Sequence, residues 1–270
     1  MKKANPTAPS GPPTPGSTIV YTAVGASDAT GHGASIECVP FTECPSGTGY
    51  VQVTTRSLKS DGYNVTLTNL GIPTAVIGRD FETLGQQYNR TIVGNFIEQE
   101  MPSIQKGSTL VTIFAGGNEV NTITAALGAG AGAGNQNAYI DSQVKAFGAD
   151  FSTLMSGIRE RAAPRIVILN LPNLAGLPYL AGAARSQRQA AQRAAVGMTT
   201  TVINGLAGSD VAVVDLMCDS RTYLSSNYST DGFHPNDTGY AFIAGEVLSA
   251  IKSSSYPAPK SSCSQMSIVP

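Results

Sequence analysis

The chain has 270 residues, 17 of them basic and 18 acidic, for a formal net charge of -1, which excludes the basic footprint of a nucleic-acid binder. Its 41% hydrophobic content supplies a core, and its 13% charged content, against about 25% in an average globular protein, leaves Ser, Thr, Asn and Gln to keep the surface wet. No run reaches the roughly 20 apolar residues that span a bilayer, and no charged start followed by an apolar run marks a signal peptide.

Residues 1–16, MKKANPTAPSGPPTPG, hold five of the 16 prolines and no hydrophobic periodicity. This is the composition of an extended tether, of the kind that follows a removed export signal or a lipid anchor. Five β-branched runs then recur: STIVYTAVG (17–25), YNVTLTNLG (63–71), STLVTIFAG (108–116), RIVILNLP (165–172) and DVAVVDL (210–216). Nearly continuous apolar character is how strands covered on both faces read, and such strands belong to parallel sheets.

Between the runs, Ile140, Val144, Phe147, Phe151, Leu154 and Ile158 recur at steps of four and three and line one face of a helix over 140–162. Residues 186–207 and 237–252 also read as helices, the last with Asn236 or Asp237 as N-cap. The string GAGAGAGNQN (128–137) matches dinucleotide-site glycine spacing only cheaply; we read it as a flexible loop after the third strand, flanking the site. Alternating strands and helices predict a doubly wound, flavodoxin-like α/β/α sandwich of three layers around a five-stranded parallel sheet. We expect one domain over 17–270, ending in a tail at 253–270.

The four cysteines, Cys38, Cys44, Cys218 and Cys263, have no metal-site spacing, and two histidines are too few for a Cys/His zinc centre. Chain order favours Cys38–Cys44 and Cys218–Cys263, the second stapling the tail to the domain; four buried free thiols are the alternative. Paired cysteines and a charge-poor surface point to an exported protein.

Ligands of such sheets sit beyond the carboxyl ends of the strands. There the sequence places Gly25-Ala26-Ser27-Asp28, Gly71-Ile72-Pro73-Thr74, Gly116-Gly117-Asn118-Glu119 and, past a loop, Asp231-Gly232-Phe233-His234-Pro235. A serine hydroxyl needs a base near neutral pH, and His234 is the candidate. Asp231, three residues upstream, can bend back onto Nδ1 and leave Nε2 for Ser27. Asn118 can donate its side-chain amide to an oxyanion, joined by backbone N–H groups of Ser27 and of the loop after the second strand. His32 lies too close in sequence to Ser27 to curl back as its base and is read as a residue that can line the acyl or alcohol pocket.

These four blocks, in this order from residue 17 to about 252, resemble the SGNH or GDSL serine hydrolases, the lipases and esterases. DGFHPNDTGYAFIAGEVL is the most specific stretch. Ala26 stands where the first block carries Asp, and Glu119 where the third carries Asp. In NLGIPTAVIG, Thr74 stands in place of the oxyanion glycine, with Gly71 as the fallback donor.

The resemblance implies an exported ester hydrolase, secreted, periplasmic or surface-tethered, that acts through an acyl-enzyme without metal or organic cofactor. Its implied roles are Ser27 as nucleophile, His234 as base, Asp231 as orienter and Asn118 with Thr74 or Gly71 as the oxyanion hole. Small and polar loop residues lean to short acyl or acetyl esters. Acyl transfer or thioester hydrolysis on the same residues, and a surface carbohydrate-binding module with a degenerate site, are the alternatives.

Overall fold

The apolar runs form the strands β1 (Thr18–Gly25), β2 (Asn64–Asn69), β3 (Leu110–Phe114), β4 (Arg165–Leu169) and β5 (Val211–Val214) of one parallel sheet, in the order β2-β1-β3-β4-β5. This is a computed structural model, and it describes residues 11–270. Most of the stretch expected to act as a tether lies outside the described residues.

Side chains alternate across the sheet with the period of two that a strand imposes. Val24, Val111, Ile113, Ile166, Ile168 and Val213 enter the core on one face, while Tyr21, Ala23, Val167, Leu169 and Val214 enter the core on the other. Helices α2 (Tyr50–Ser60) and α7 (Asp237–Lys252) cover the second core. Helices α3 (Arg79–Gln87), α4 (Gly117–Gly128), α5 (Gln136–Arg161) and α6 (Arg185–Met198) cover the first. The result is the three-layer, doubly wound architecture that the sequence predicts.

The six apolar residues predicted to line one face of a helix over 140–162 are all buried in α5. Asn236 is the N-cap of α7, its side chain accepting from the N–H groups of Thr238 and Gly239. Regular helix in the segment predicted over 186–207 stops at Met198, and the run TTTVI continues as one π-helical turn. Thr200 and Thr201 donate their hydroxyls to carbonyls four residues back, the local bonding that distorts helices.

Helices α2, α3 and α4 stand where no helix is predicted. Their sequences, YVQVTTRSLKS, RDFETLGQQ and GNEVNTITAALG, carry β-branched residues or an internal glycine, and packing of Tyr50, Val51, Leu58, Phe81, Val120 and Ile123 into the cores overrides that propensity.

Both expected disulfides are present, Cys38–Cys44 and Cys218–Cys263. The second holds the tail against α6: Gln192 exchanges two hydrogen bonds with the backbone of Val269, and Asn173 Nδ2 donates to Gln265 O.

Candidate active site

The order of the sheet reverses between β1 and β3, and in such folds ligands bind in the crevice outside the carboxyl ends at that switch point. Gly25 at the end of β1 pairs with Phe114 at the end of β3, so the segments that follow, one carrying Ser27 and the other Asn118, diverge from neighbouring strand ends. Ser27 opens the single helical turn α1 (Ser27–Thr30), which Gly31 ends in the left-handed conformation.

Ser27 Oγ stands 2.8 Å from His234 Nε2, and His234 Nδ1 stands 2.6 Å from Asp231 Oδ2. Because the carboxylate only accepts, Nδ1 carries the hydrogen and Nε2 is the acceptor for the Ser27 hydroxyl. The other Asp231 oxygen accepts from Ser229 Oγ at 2.8 Å and from the backbone N–H groups of Phe233 and His234 at 2.8 and 2.9 Å. Partial burial works to raise the Asp231 carboxyl. The hydrogen bonds from the His234 ring, from the two backbone N–H groups and from Ser229 outweigh it and hold the group well below the usual carboxylate range. Phe233 and His32 both pack edge-on against the His234 ring, at centroid distances of 4.8 and 4.5 Å.

Asn118 sits in the first turn of α4, which starts after Gly116 at φ 114°. Its Nδ2 donates to Ala75 O at 2.9 Å and keeps a second hydrogen for another acceptor. In the loop after β2, the N–H of Gly71 donates to Asn69 Oδ1, that of Ile72 to Gly25 O and that of Ala75 to Ile72 O. The N–H of Thr74 makes no hydrogen bond among the described residues, and Thr74 itself holds φ 68°, the left-handed region that glycine enters freely and a β-branched residue enters at a cost. The structure therefore links Ser27, His234 and Asp231 by hydrogen bonds and puts Ser27 and Asn118 in the wall of one cavity. In the loop after β2 the amide of Thr74 is free among the described residues and that of Gly71 is engaged.

The Gly/Ala string expected to flank the site does not follow β3. It joins α4 to α5, so the 12 residues of α4, about 18 Å of helix, separate it from Gly117. The correction follows from α4, whose β-branched sequence conceals a helix.

Three carboxyl groups without predicted roles brace the crevice. Glu119, buried, accepts the N–H of Ile77 at 2.5 Å, and desolvation pushes its carboxyl up to about 7. Glu100, buried, accepts the N–H of Gly25 at 3.0 Å, and burial raises it too. Asp28 lines the cavity beside Ser27; desolvation raises its carboxyl, with His234 acting in the opposite direction. Sequence reasoning notes Glu119 only as a departure from Asp, and the signal it holds is the extra methylene that reaches Ile77.

An apolar cavity of about 50 Å³ opens beside Ser27 and Asn118, with Ala75, Phe96, Leu171, Leu174, Leu177 and Phe233 in its wall. At the His234 ring, His32, Asp231 and His234 bring ligand-type atoms within 4.8 Å of one another, a donor set chemically able to hold a cation. In this arrangement both His234 nitrogens are engaged by Ser27 and Asp231, and His32 Nδ1 by Glu37.

The model of the GDSL-like lipase/acylhydrolase family matches residues 23–242. The chain belongs to that family. Solved structures with the same fold include an extracellular lipase from Streptomyces rimosus, 18% identical, with 86% of this chain and 99% of that one covered at a TM-score of 0.61. A lipase from a goat rumen metagenome, 18% identical, covers 86% and 97% at 0.58. An acetyl xylan esterase from Geobacillus stearothermophilus, 16% identical, covers 88% and 96% at 0.54. No curated protein matches the sequence.

Proposed function

We propose that the protein is a carboxylic ester hydrolase acting through an acyl-enzyme on short-chain acyl esters. The observation that carries this reading is the hydrogen-bonded chain Asp231–His234–Ser27 at the mouth of the apolar cavity. His234 takes the Ser27 proton as Oγ attacks the ester carbonyl, and Asp231 fixes the ring and favours the imidazolium. The second hydrogen of Asn118 Nδ2 and the N–H groups of Thr74 and Ser27 receive the oxyanion; Gly71, its amide engaged by Asn69, is the weaker candidate. His234 then returns the proton to the leaving alcohol, and water attacks the acyl-enzyme by the same route in reverse.

The size of the cavity argues for short acyl groups. At about 50 Å³ with a mainly apolar wall, it suits a short acyl chain better than a long one. The polar loops around it fit an acetylated sugar better than a long lipid. Two disulfides and few charges support an exported location. With it goes a single hydrolase domain over 17–270 tethered by residues 1–16.

The test is a chain-length series of p-nitrophenyl esters together with fluorophosphonate labelling. Stoichiometric modification of Ser27 and a kcat/KM that peaks between acetate and butyrate are expected. No labelling would return the protein to the non-catalytic binding module, and product analysis with an added alcohol separates hydrolysis from acyl transfer.

A further inference from the structure

One imidazole beside the site takes no part in the relay. His32 packs edge-on against His234 with its side chain 47% exposed. Its Nδ1 lies 2.9 Å from Glu37 Oε2. Since a carboxylate only accepts, Nδ1 carries a hydrogen, and Nε2, which has no hydrogen-bond partner among the described residues, is left for a ligand. It is an acceptor in the neutral ring and a donor in the charged one.

The segment that presents His32 is braced at several points. Its N–H donates to Ser27 O at 3.0 Å, and Tyr240 of α7 donates its hydroxyl to His32 O at 2.8 Å. Asp237, in the first turn of α7, accepts from Ser35 N, Ser35 Oγ and Thr48 Oγ1 at 2.8, 2.6 and 2.7 Å. Gly33, at φ 88°, approaches so closely that a Cβ there would meet Pro235 O at 2.8 Å and His234 Cβ at 2.9 Å. The backbone that carries His32 is thus held by the same helix start that follows His234, and its ring by Glu37 and the edge of His234, which is how a binding group is preorganised.

The cavity beside Ser27 and the His32 side chain differ in chemistry. The apolar cavity beside Ser27 contains neither His32 nor Glu37 in its wall. An acyl group seated there turns the alcohol toward His234, because His234 must reach the alkoxide oxygen to protonate it. We infer that His32 is the recognition residue for the alcohol half of the substrate, its Nε2 bonding a hydroxyl next to the scissile ester. The preferred substrates are then short acyl esters of polyols or sugars, in preference to esters of simple alkanols. A hydroxyl both donates and accepts and fits Nε2 in either protonation state; an alkyl group fits neither. The inference rests on the ester-hydrolase reading above.

The experiment compares kcat/KM for glycerol monoacetate and ethyl acetate, which share the acyl group. Wild type favours the glycerol ester by about tenfold, the size of one partly exposed hydrogen bond. His32→Phe, which keeps an aromatic edge against His234 but has no nitrogen, brings that ratio close to one, and His32→Gln, which keeps a polar end, retains part of it. A wild type without preference overturns the inference. So does a His32→Phe enzyme whose rates fall equally on both esters, since His32 would then act through His234. Fluorophosphonate labelling runs alongside: labelled Ser27 with an unchanged ratio sinks only the role of His32, whereas unlabelled wild type sinks the hydrolase reading with it.

Discussion

Ser27 Oγ and His234 Nε2 are 2.8 Å apart although 207 positions separate them in the chain. The contact joins the end of β1, the first strand, to the loop before α7, the last helix, across the sheet's carboxyl edge. If the two side chains act as one unit, removing either removes nearly all of the rate. Ser27→Ala and His234→Ala should each lower kcat by about 10⁵–10⁶. Asp231→Asn, which leaves the ring in place but disturbs its tautomer, should lower it by about 10⁴. Steady-state rates on p-nitrophenyl acetate measure all three, and a Ser27→Ala enzyme with near wild-type turnover would reject the assignment.

Thr74 occupies a backbone conformation meant for glycine, with φ 68°. Non-glycine residues there store about 1–3 kcal/mol, which the greater freedom of glycine in the unfolded chain and loss of the 3.3 Å bond from Val93 N to Thr74 Oγ1 partly offset. Thr74→Gly should therefore stabilise the fold by about 1 kcal/mol and raise Tm by about 2–4 °C. A lowered Tm would mean that the Val93 contact outweighs the strain.

The sheet and the Asp231–His234 pair are legible in the sequence because both depend on local signals, whereas the contact of His234 with Ser27 follows only from the order of the motifs along the chain. Strands buried on two faces read as apolar runs, and Asp231, Gly232 and His234 lie in one turn whose geometry follows from spacing. Helices α2 and α4 are not legible: Val51, Val53, Thr54, Val120, Thr122 and Ile123 favour extended backbone, and only burial against the sheet makes them helical. Bonds such as Glu119 to Ile77 or Glu100 to Gly25 join residues 42 and 75 positions apart, and no periodicity marks such partners. His32 and Glu37 are only five apart, yet which way that pair faces depends on α7.

The disulfides differ in the loops they close, with sequence separations of 6 for Cys38–Cys44 and 45 for Cys218–Cys263. On the chain-entropy model these correspond to about 2 and about 4 kcal/mol. The double substitution Cys218→Ala with Cys263→Ala should lower Tm by roughly 8 °C or more. Cys38→Ala with Cys44→Ala should lower it about half as far. Calorimetry decides this, and equal shifts would mean that contacts of the tail, such as Gln192 with Val269, hold it without the covalent bond.

Glu119 makes stability depend on pH in a defined sense. Its carboxyl, with an ordinary value of 4.5, is pushed up to about 7 in the fold by desolvation. Below the ordinary value the group is neutral in both folded and unfolded chains, and its full contribution is present. As pH rises from there, the unfolded chain ionises first and is favoured, so stability falls until the folded carboxyl ionises near pH 7. The loss amounts to about 3 kcal/mol. Glu100, also raised by burial, acts in the same direction, while the depressed Asp231 acts oppositely and only in acid, where pH falls below its unfolded value. Glu119→Gln keeps an oxygen for the N–H of Ile77 and removes the titration. Urea unfolding at pH 5 and pH 8 should show a clearly smaller decrease for Glu119→Gln than for wild type. The same decrease in both proteins would place the pH dependence elsewhere.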